Sequence, residues 1–172
     1  MTASRIFQCA LICLMLAAAS LSSSNSAQAA EKASGSLTYK GTKKTFTLAL
    51  KHAYLVKGPD TFDEKKTVRR LVLTSDDFSS AIKGTDALNG FDGKLNEGMI
   101  VELDGPRLNY WVVLNDQLVQ YSGTVEPSAL TASADKSDQL KGKLTIDDSS
   151  AGGPKVDVEF DAPLVKAFAK AR

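Results

Sequence analysis

Three aromatic side chains are the strongest candidates for contacting a ligand: His52, Tyr54 and Trp111. The chain holds one histidine and one tryptophan, so each of these two stands alone in its type. His52 lies between Leu50 and Tyr54 in a stretch of alternating apolar residues, and this alternation places its ring on the inward face of a strand. Two roles stay open for His52: a half-buried structural histidine with a hydrogen bond to a neighbouring strand or loop, or a ligand-facing residue at the mouth of a barrel.

Trp111 lies in the stretch 97–125, which also contains two of the four tyrosines. Large aromatic rings contribute heavily to protein cores, so we predict that the centre of the core is here and that Trp111 is buried in it. An exposed ring would instead make Trp111 a candidate ligand-binding residue.

Nucleophilic and metal chemistry leave no recognisable signature in the sequence. The chain has no Gly-x-Ser-x-Gly motif, and its Ser-x-x-Lys matches at 80–83 and 133–136 lack the companion motifs of the enzymes that use them. A single histidine cannot build a multi-histidine metal site, and zinc sites with one histidine usually add cysteines. The two cysteines, Cys9 and Cys13, lie in the predicted leader described below. We therefore predict no catalytic residue, no metal site and no cofactor.

Acidic side chains gather in predicted loops, notably Asp60, Asp63 and Glu64. Paired carboxylates can act as general acid and general base, but only the distance between them in the structure would show such a role. Two close carboxylates in a cleft, one with a raised pKa, would favour an enzyme over a binding protein. A hydrolase that uses loop carboxylates therefore stays open as the alternative function.

The first 29 residues have the layout of a secretory signal peptide. Arg5 supplies a positive n-region, residues 6–21 are mostly apolar, and Ala27, Gln28 and Ala29 form a small-x-small cleavage site. The apolar run is shorter than the ~20 residues of a membrane-spanning helix. We predict cleavage before Ala30, a single β-rich domain over 30–172, and no integral membrane segment after cleavage.

Charge gives no reason to expect nucleic acid as a partner. The leader carries one basic residue and no acidic one, and the whole chain has 21 basic and 20 acidic side chains, so the mature chain is formally neutral. A neutral chain lacks the general attraction to phosphate backbones or anionic membranes. The densest basic patch (Lys65, Lys66, Arg69 and Arg70) is predicted to be a solvent face or a strand edge.

Period-two alternation of apolar residues predicts about eight strands. Three of them form a meander over 97–125, with breaks at 104–105 and 115–116 that suit tight turns. The others cover 37–39, 46–54, 68–74, 140–146 and 156–160. Residues 30–36 are predicted to be a flexible start, and 126–138 a linker across one end of the sheet.

Helical spacing is confined to two short stretches. Ser75 is placed to cap a helix over 75–83 that Gly84 closes. Pro163, with Leu164 and Phe168 four residues apart, predicts a short terminal helix over 163–172. The predicted fold class is therefore all-β, mainly antiparallel: one barrel or sandwich of about eight strands with one or two short helices.

Three short runs resemble a pattern found in uncharacterised exported bacterial β-rich proteins. They are the His-Ala-Tyr at 52–54, the Leu-Val-Leu-Thr-Ser-Asp at 71–76 and the Phe-Asp-Ala-Pro-Leu at 160–164. The resemblance implies a periplasmic or secreted protein of a Gram-negative bacterium, and it implies no activity.

The sequence thus predicts an exported, non-catalytic β-domain that binds a small ligand or a protein partner at the cell envelope. The alternative is an envelope hydrolase that uses loop carboxylates.

Overall fold

The structure, a computed structural model, describes residues 32–172. Over these residues the chain forms ten β-strands, one short α-helix and three 3₁₀ turns, so the predicted all-β class is confirmed. The predicted signal peptide lies outside the described residues. Within them, no helix is both long enough and apolar enough to cross a membrane.

The strands are short except for the last one, which runs for 14 residues. They are β1 (Lys32–Lys40), β2 (Thr45–Leu50), β3 (His52–Pro59), β4 (Thr67–Thr74), β5 (Gly98–Glu102), β6 (Leu108–Leu114), β7 (Val119–Val125), β8 (Leu130–Lys136), β9 (Gln139–Asp147) and β10 (Pro154–Ala167). The helix α1 covers Ser79–Lys83, and the 3₁₀ turns cover Asp92–Lys94, Pro127–Ala129 and Ser149–Ala151. The predicted three-stranded meander is confirmed as β5, β6 and β7.

All ten strands join one sheet that curls into a half-barrel. From one edge the strand order is β2-β1-β10-β3-β4-β5-β6-β7, while β9 also pairs with β10, and β8 pairs with β9. Every pairing is antiparallel except that of β10 with β3, so the sheet is mixed rather than purely antiparallel. The long β10 makes this possible, since its first part pairs with β1 and β9 and its last part with β3.

The predicted terminal helix over 163–172 is wrong, because β10 continues to Ala167 and no helix follows. Leu164 pairs with Leu55 and Lys166 with Val56 on β3. These backbone pairs satisfy the same N–H and C=O groups that a helix would have used. Two apolar residues at helical spacing are only a weak signal for a helix, and the pairing with β3 outweighs it.

Two segments predicted to be irregular are strands. The flexible start predicted for 30–36 is wrong over 32–36, because β1 pairs there with β10. The linker predicted for 126–138 contains a 3₁₀ turn and β8. Small and polar residues make β8 look like a loop, but pairing with β9 on one edge holds it as a strand.

The long strand predicted over 46–54 is divided at Lys51 into β2 and β3. The N–H of Lys51 donates to the carbonyl of Thr74, and its carbonyl accepts from the N–H of Ala33. Both backbone groups thus stay bonded while the chain passes from pairing with β1 to pairing with β4.

The helix predicted over 75–83 is shorter than expected. It begins after Phe78, and Ser75 makes no capping bond, while Gly84 closes it as predicted. The carboxylate of Asp77 accepts the N–H of Ser79 instead, at 2.8 Å.

The sheet buries apolar residues on both of its faces. The concave side encloses the larger cluster, here called the inner core; its biggest members include Leu37, Leu55, Leu71, Tyr110 and Phe160. The convex side of β3, β4 and β5 is covered by residues 75–97, here called the covering segment, and by the chain end around Phe168. This outer core includes Tyr54, Val72, Ile82, Leu88, Phe91, Ile100 and Phe168.

The prediction that Trp111 is a core residue is wrong. The inward face of β6 consists of Leu108, Tyr110, Val112 and Leu114, all of them buried. Because successive side chains of a strand point to opposite faces, Trp111 lies on the convex side, where 39 % of its surface is exposed.

Candidate functional site

The convex side of β6 and β7 is left largely uncovered by the covering segment, which meets it only at one end through Asp92, and we call this side the open face. Its side chains form three cross-strand pairs: Asn109 opposite Thr124, Trp111 opposite Ser122, and Val113 opposite Gln120. Asn109 and Val113 are half-buried, and the other four are exposed. An exposed tryptophan thus stands in the middle of a mostly polar surface.

Two shallow clefts flank Trp111 on the open face. One has a volume of about 290 Å³, and the other has a volume of about 370 Å³. Trp111 and Ser122 line both clefts. The first cleft is also lined by Asp92, Ile100, Val112, Val113, Gln120 and Tyr121, and the second by Asn109, Tyr110, Gly123 and Thr124.

The ring of Trp111 is backed by a buried cation. The guanidinium of Arg70 lies 5.7 Å from the ring centroid, within the range of a cation–π contact. Arg70 itself bonds Glu102 through Nε at 3.3 Å and Nη2 at 3.2 Å, and it bonds Asp92 through Nη1 at 3.2 Å. The two carboxylates hold the guanidinium in place, and the guanidinium in turn holds the indole.

The register of the sheet explains why these residues meet. Arg70 pairs with Glu102 across β4 and β5, and Glu102 pairs with Asn109 across β5 and β6. Asp92 comes from the covering segment, which ends beside this row. β4 therefore contributes Arg70, β5 contributes Glu102, and the covering segment contributes Asp92.

The acidity of Asp92 is altered by this setting. Burial raises the pKa of the Asp92 carboxyl above its ordinary value, the guanidinium of Arg70 opposes that rise, and the charge of Glu102 adds to it. A carboxyl with a raised pKa at the rim of a cleft is the feature that keeps an acid–base role open.

Tyr54 does not line either cleft. Its side chain is fully buried in the outer core, and its hydroxyl donates to Oδ1 of Asp77 at 3.0 Å and accepts from the N–H of Phe78 at 2.8 Å. Burial, more than any other cause, raises the pKa of this phenol. Tyr54 shares its cross-strand row with Trp111, but β4 and β5 lie between them and the covering segment lies over it.

His52 is half-buried as predicted, but its ring lies on the convex face with Tyr54 and not on the predicted inward face, and its side chain makes no hydrogen bond to any residue that the structure describes. Its ring lies parallel to that of Tyr54, with centroids 6.3 Å apart. His52 is three strands away from the open face, which corresponds to roughly 14 Å at the usual strand spacing. Of the three predicted ligand-binding residues, the structure therefore places only Trp111 at the clefts.

Two of the three loop carboxylates singled out from the sequence, Asp60 and Asp63, accept backbone hydrogen bonds within their own turn. Asp60 accepts the N–H groups of Phe62 and Asp63 at 2.8 and 3.0 Å, and these bonds lower the pKa of the Asp60 carboxyl. They shape the β3–β4 turn rather than a cleft. Among the described residues, no group of three or more His, Cys, Asp or Glu side chains is arranged to hold a metal ion.

The basic patch is also different from its prediction as a solvent face or strand edge. β4 is a central strand, and Arg69 and Arg70 point to opposite sides of it. Arg69 bonds Asp104 and Asp135, and Arg70 bonds Asp92 and Glu102. Only Lys65 and Lys66 are solvent-exposed as predicted.

Sequence reasoning missed Arg70, Asp92 and Glu102 as neighbours of Trp111. Their separation in the chain gives no local signal, because the pairing register alone brings them together. One signal was present: Trp111 alternates with the strongly apolar Tyr110 and Val112 and shares its face with Asn109. The polar member of that set marks the outward face.

No protein-family model, no curated protein and no solved structure matches this chain.

Proposed function

We propose that this protein is an exported, non-catalytic β-domain of the cell envelope that binds a small ligand or a protein partner through the open face. The observation that carries the proposal is Trp111, a large aromatic ring exposed between two clefts and held from behind by Arg70. Aromatic residues, tryptophan above all, are enriched among the residues that contribute most to binding at protein interfaces. Clefts with a few converging polar groups are the usual form of a ligand site.

A rival location is less suited to binding. A wider groove of about 530 Å³ crosses the outside of β1, β10 and β9. Lys141 and Asp161 form an ion pair inside it at 3.4 Å, Lys143 pairs with Asp157, and its one aromatic residue, Phe160, is buried. Solvated ion pairs of this kind are ordinary surface features of a sheet.

Fluorescence of Trp111 tests the proposal directly, because it is the only tryptophan in the chain. The protein is titrated with a peptidoglycan digest, short peptides, phospholipid vesicles and oligosaccharides. We expect at least one class to shift or quench the emission saturably. If none of them changes it, the open face is not a binding surface for these envelope components.

A relocated reporter is the matched control. The double variant Trp111→Phe, Phe62→Trp keeps one tryptophan but moves it to the β3–β4 turn, where Phe62 is 94 % exposed. Its emission is expected to stay constant with the same compound. Equal changes in both proteins would mean unspecific quenching and would count against the proposal.

Export is the second part of the proposal, and it depends on the signal-peptide pattern alone. Expression of the full chain in a Gram-negative host is expected to deliver a protein that begins at Ala30 to the periplasm or the medium. Mass spectrometry of the fractionated cells measures the first residue. An intact Met1 in the cytoplasm or the membrane fraction would contradict export.

The hydrolase alternative is favoured by one observation. Asp92, which lines the first cleft, bonds Arg70 together with Glu102, and the pKa of the Asp92 carboxyl is raised. A compound that binds is therefore followed over time by mass spectrometry. Its cleavage by the wild type and loss of cleavage in Asp92→Asn would replace the binding role with an enzymatic one.

A further inference from the structure

The hydrogen-bonding side chains of the open face itself are uncharged, and the one carboxyl that lines a cleft, that of Asp92, is bonded to Arg70. Amides and hydroxyls surround Trp111: Asn109, Gln120, Ser122 and Thr124. Amide and hydroxyl groups both donate and accept, so they match a ligand whose own groups also do both. Sugar hydroxyls have this character.

Cations are missing from both clefts. No lysine or arginine is among the residues that line them within the described chain. The nearest guanidinium, that of Arg70, is buried and already bonded to two carboxylates. An anionic ligand such as a phosphate or a uronic acid would find no counter-charge here.

The indole supplies the apolar half of the recognition. The face of an aromatic ring carries partial negative charge and attracts the weakly positive C–H groups on the flat side of a sugar ring. Arg70 fixes the indole from one side, and Ile100 and Val113 provide an apolar floor in the first cleft. A platform that is already ordered loses little conformational entropy on binding.

The two clefts set the size of the ligand. They lie on either side of Trp111 and share only Trp111 and Ser122 as lining residues. β7 is an edge strand, paired only with β6, so a ligand can run off the sheet without meeting another strand. A chain of linked units could therefore stack one unit on the indole and place its neighbours in the clefts.

We propose that the open face binds a neutral oligosaccharide of two or more units, stacked on Trp111 and hydrogen-bonded by Asn109, Gln120, Ser122 and Thr124. This inference rests on the proposed function, whose ligand class it names.

Affinity electrophoresis in gels that contain one polysaccharide each tests the inference. Neutral polymers (a β-1,3-glucan, a β-1,4-xylan, a galactan and a dextran) are compared with the anionic polymers alginate and polygalacturonate. We expect at least one neutral polymer to retard the protein and both anionic ones to leave its migration unchanged. Trp111→Ala is expected to weaken the retardation at least about tenfold, as removal of a central aromatic contact does at other interfaces.

A second pair of variants distinguishes loss of binding from loss of folding. Ser122→Lys places a long side chain between the two clefts while Trp111 stays, and it is expected to abolish retardation. Thr47→Lys adds the same charge at an exposed position of β2 and is expected to leave retardation unchanged. Circular dichroism and the urea midpoint confirm that each variant is folded.

Three outcomes would overturn the inference: no neutral polymer retards the protein, only anionic polymers do, or Trp111→Ala is retarded as strongly as the wild type. If peptides or vesicles still change the Trp111 emission in these cases, the proposed binding function survives and only the ligand class is wrong. If nothing changes the emission, both fall together.

Discussion

At the scale of single residues, the hydroxyl of Tyr54 links the sheet to the covering segment. It bonds both Asp77 and the N–H of Phe78, and Asp77 in turn accepts the N–H of Ser79 at the start of α1. The hydrogen bond from the Ser79 backbone is the main cause that lowers the pKa of Asp77, and the bond from Tyr54 lowers it further. The ionised carboxylate is therefore the form that the folded protein prefers.

This preference predicts how stability depends on pH. A carboxyl whose pKa is lower in the folded than in the unfolded protein stabilises the fold above its ordinary pKa of 3.8, and that contribution is lost as the pH falls through the folded-state pKa. Asp77→Asn should therefore cost ~0.5–1 kcal/mol at pH 7, a modest value because Asp77 is exposed.

Urea unfolding of both proteins from pH 7 to pH 3 measures this difference. The gap between wild type and Asp77→Asn should narrow below pH 3.8 as the wild-type carboxyl takes up a proton. A gap that stays constant over this range would show that the charge of Asp77 is irrelevant to folding.

At the scale of elements, the β6–β7 turn decides how the open face is presented. Three successive residues there have left-handed backbone conformations: Asn115, Asp116 and Gln117, with φ of 53°, 54° and 68°. The N–H of Asn115 donates to the Glu97 carboxylate, and the side-chain amide of Gln117 donates to the carbonyl of Gly93. The covering segment thus holds the turn in a conformation that most residues avoid.

Substitution at Asp116 measures the energy stored in this turn. Asp116→Gly should raise the free energy of unfolding by up to ~1 kcal/mol, because glycine adopts positive φ without steric cost. Asp116→Val should lower it by more than ~1 kcal/mol, because a β-branched residue is strongly disfavoured at positive φ.

Urea midpoints of the two variants give the sign of each change, and the wild type is the reference. Equal stabilities for glycine and valine at this position would mean that the backbone relaxes to negative φ in solution.

At the scale of the whole molecule, Arg69 ties distant parts of the half-barrel together. It bonds Asp104, two residues after β5, through Nε at 3.2 Å and Nη2 at 2.8 Å, and it bonds Asp135 of β8 through Nη1. β8 pairs with β9 alone, so this ion pair is a direct link from β8 to β4, which is otherwise reached only through β9, β10 and β3.

Removal of this ion pair should weaken the attachment of β8 to β4. Arg69→Met should lower the free energy of unfolding by ~1 kcal/mol, because it removes the guanidinium from the half-buried Asp104, which keeps only the backbone N–H of residue 69, and from the exposed Asp135. Arg107→Met is the matched control, since the Arg107–Glu126 pair at 3.2 Å is largely exposed; it should change stability by less than ~0.5 kcal/mol.

Urea unfolding compares the free energies of unfolding of the two arginine variants. Hydrogen exchange of the β8 amides tests whether the lost stability is localised in β8. Similar midpoints for both variants would mean that Arg69 is no more than a surface charge.

Local pattern determined much of the fold from the sequence alone. Period-two alternation located the meander of β5, β6 and β7, and a run that is apolar on both faces located the central strand β4, because burial of one or both faces of a strand constrains residue type at each position. Breaks at 104–105 and 115–116 followed from residues that suit tight turns. The all-β class needed no information from distant parts of the chain.

Tertiary structure alone decided the features that depend on pairing partners. Residues 163–167 are a strand because β3 and β9 were available to pair with them, and 130–136 are a strand because β9 was. The half-buried His52 was predicted, but its lack of a hydrogen-bonded partner among the described residues depends on its surroundings.

The candidate site was also predictable from the sequence only in part. Sequence singled out Trp111, since it is the only tryptophan, but the size of its ring favoured a core position although the polar Asn109 on the same face marks the outward side. Arg70, Asp92 and Glu102 reach Trp111 only through the register of three strands and the path of the covering segment. Contacts between residues far apart in the chain arise from the packed structure, and no local pattern encodes them.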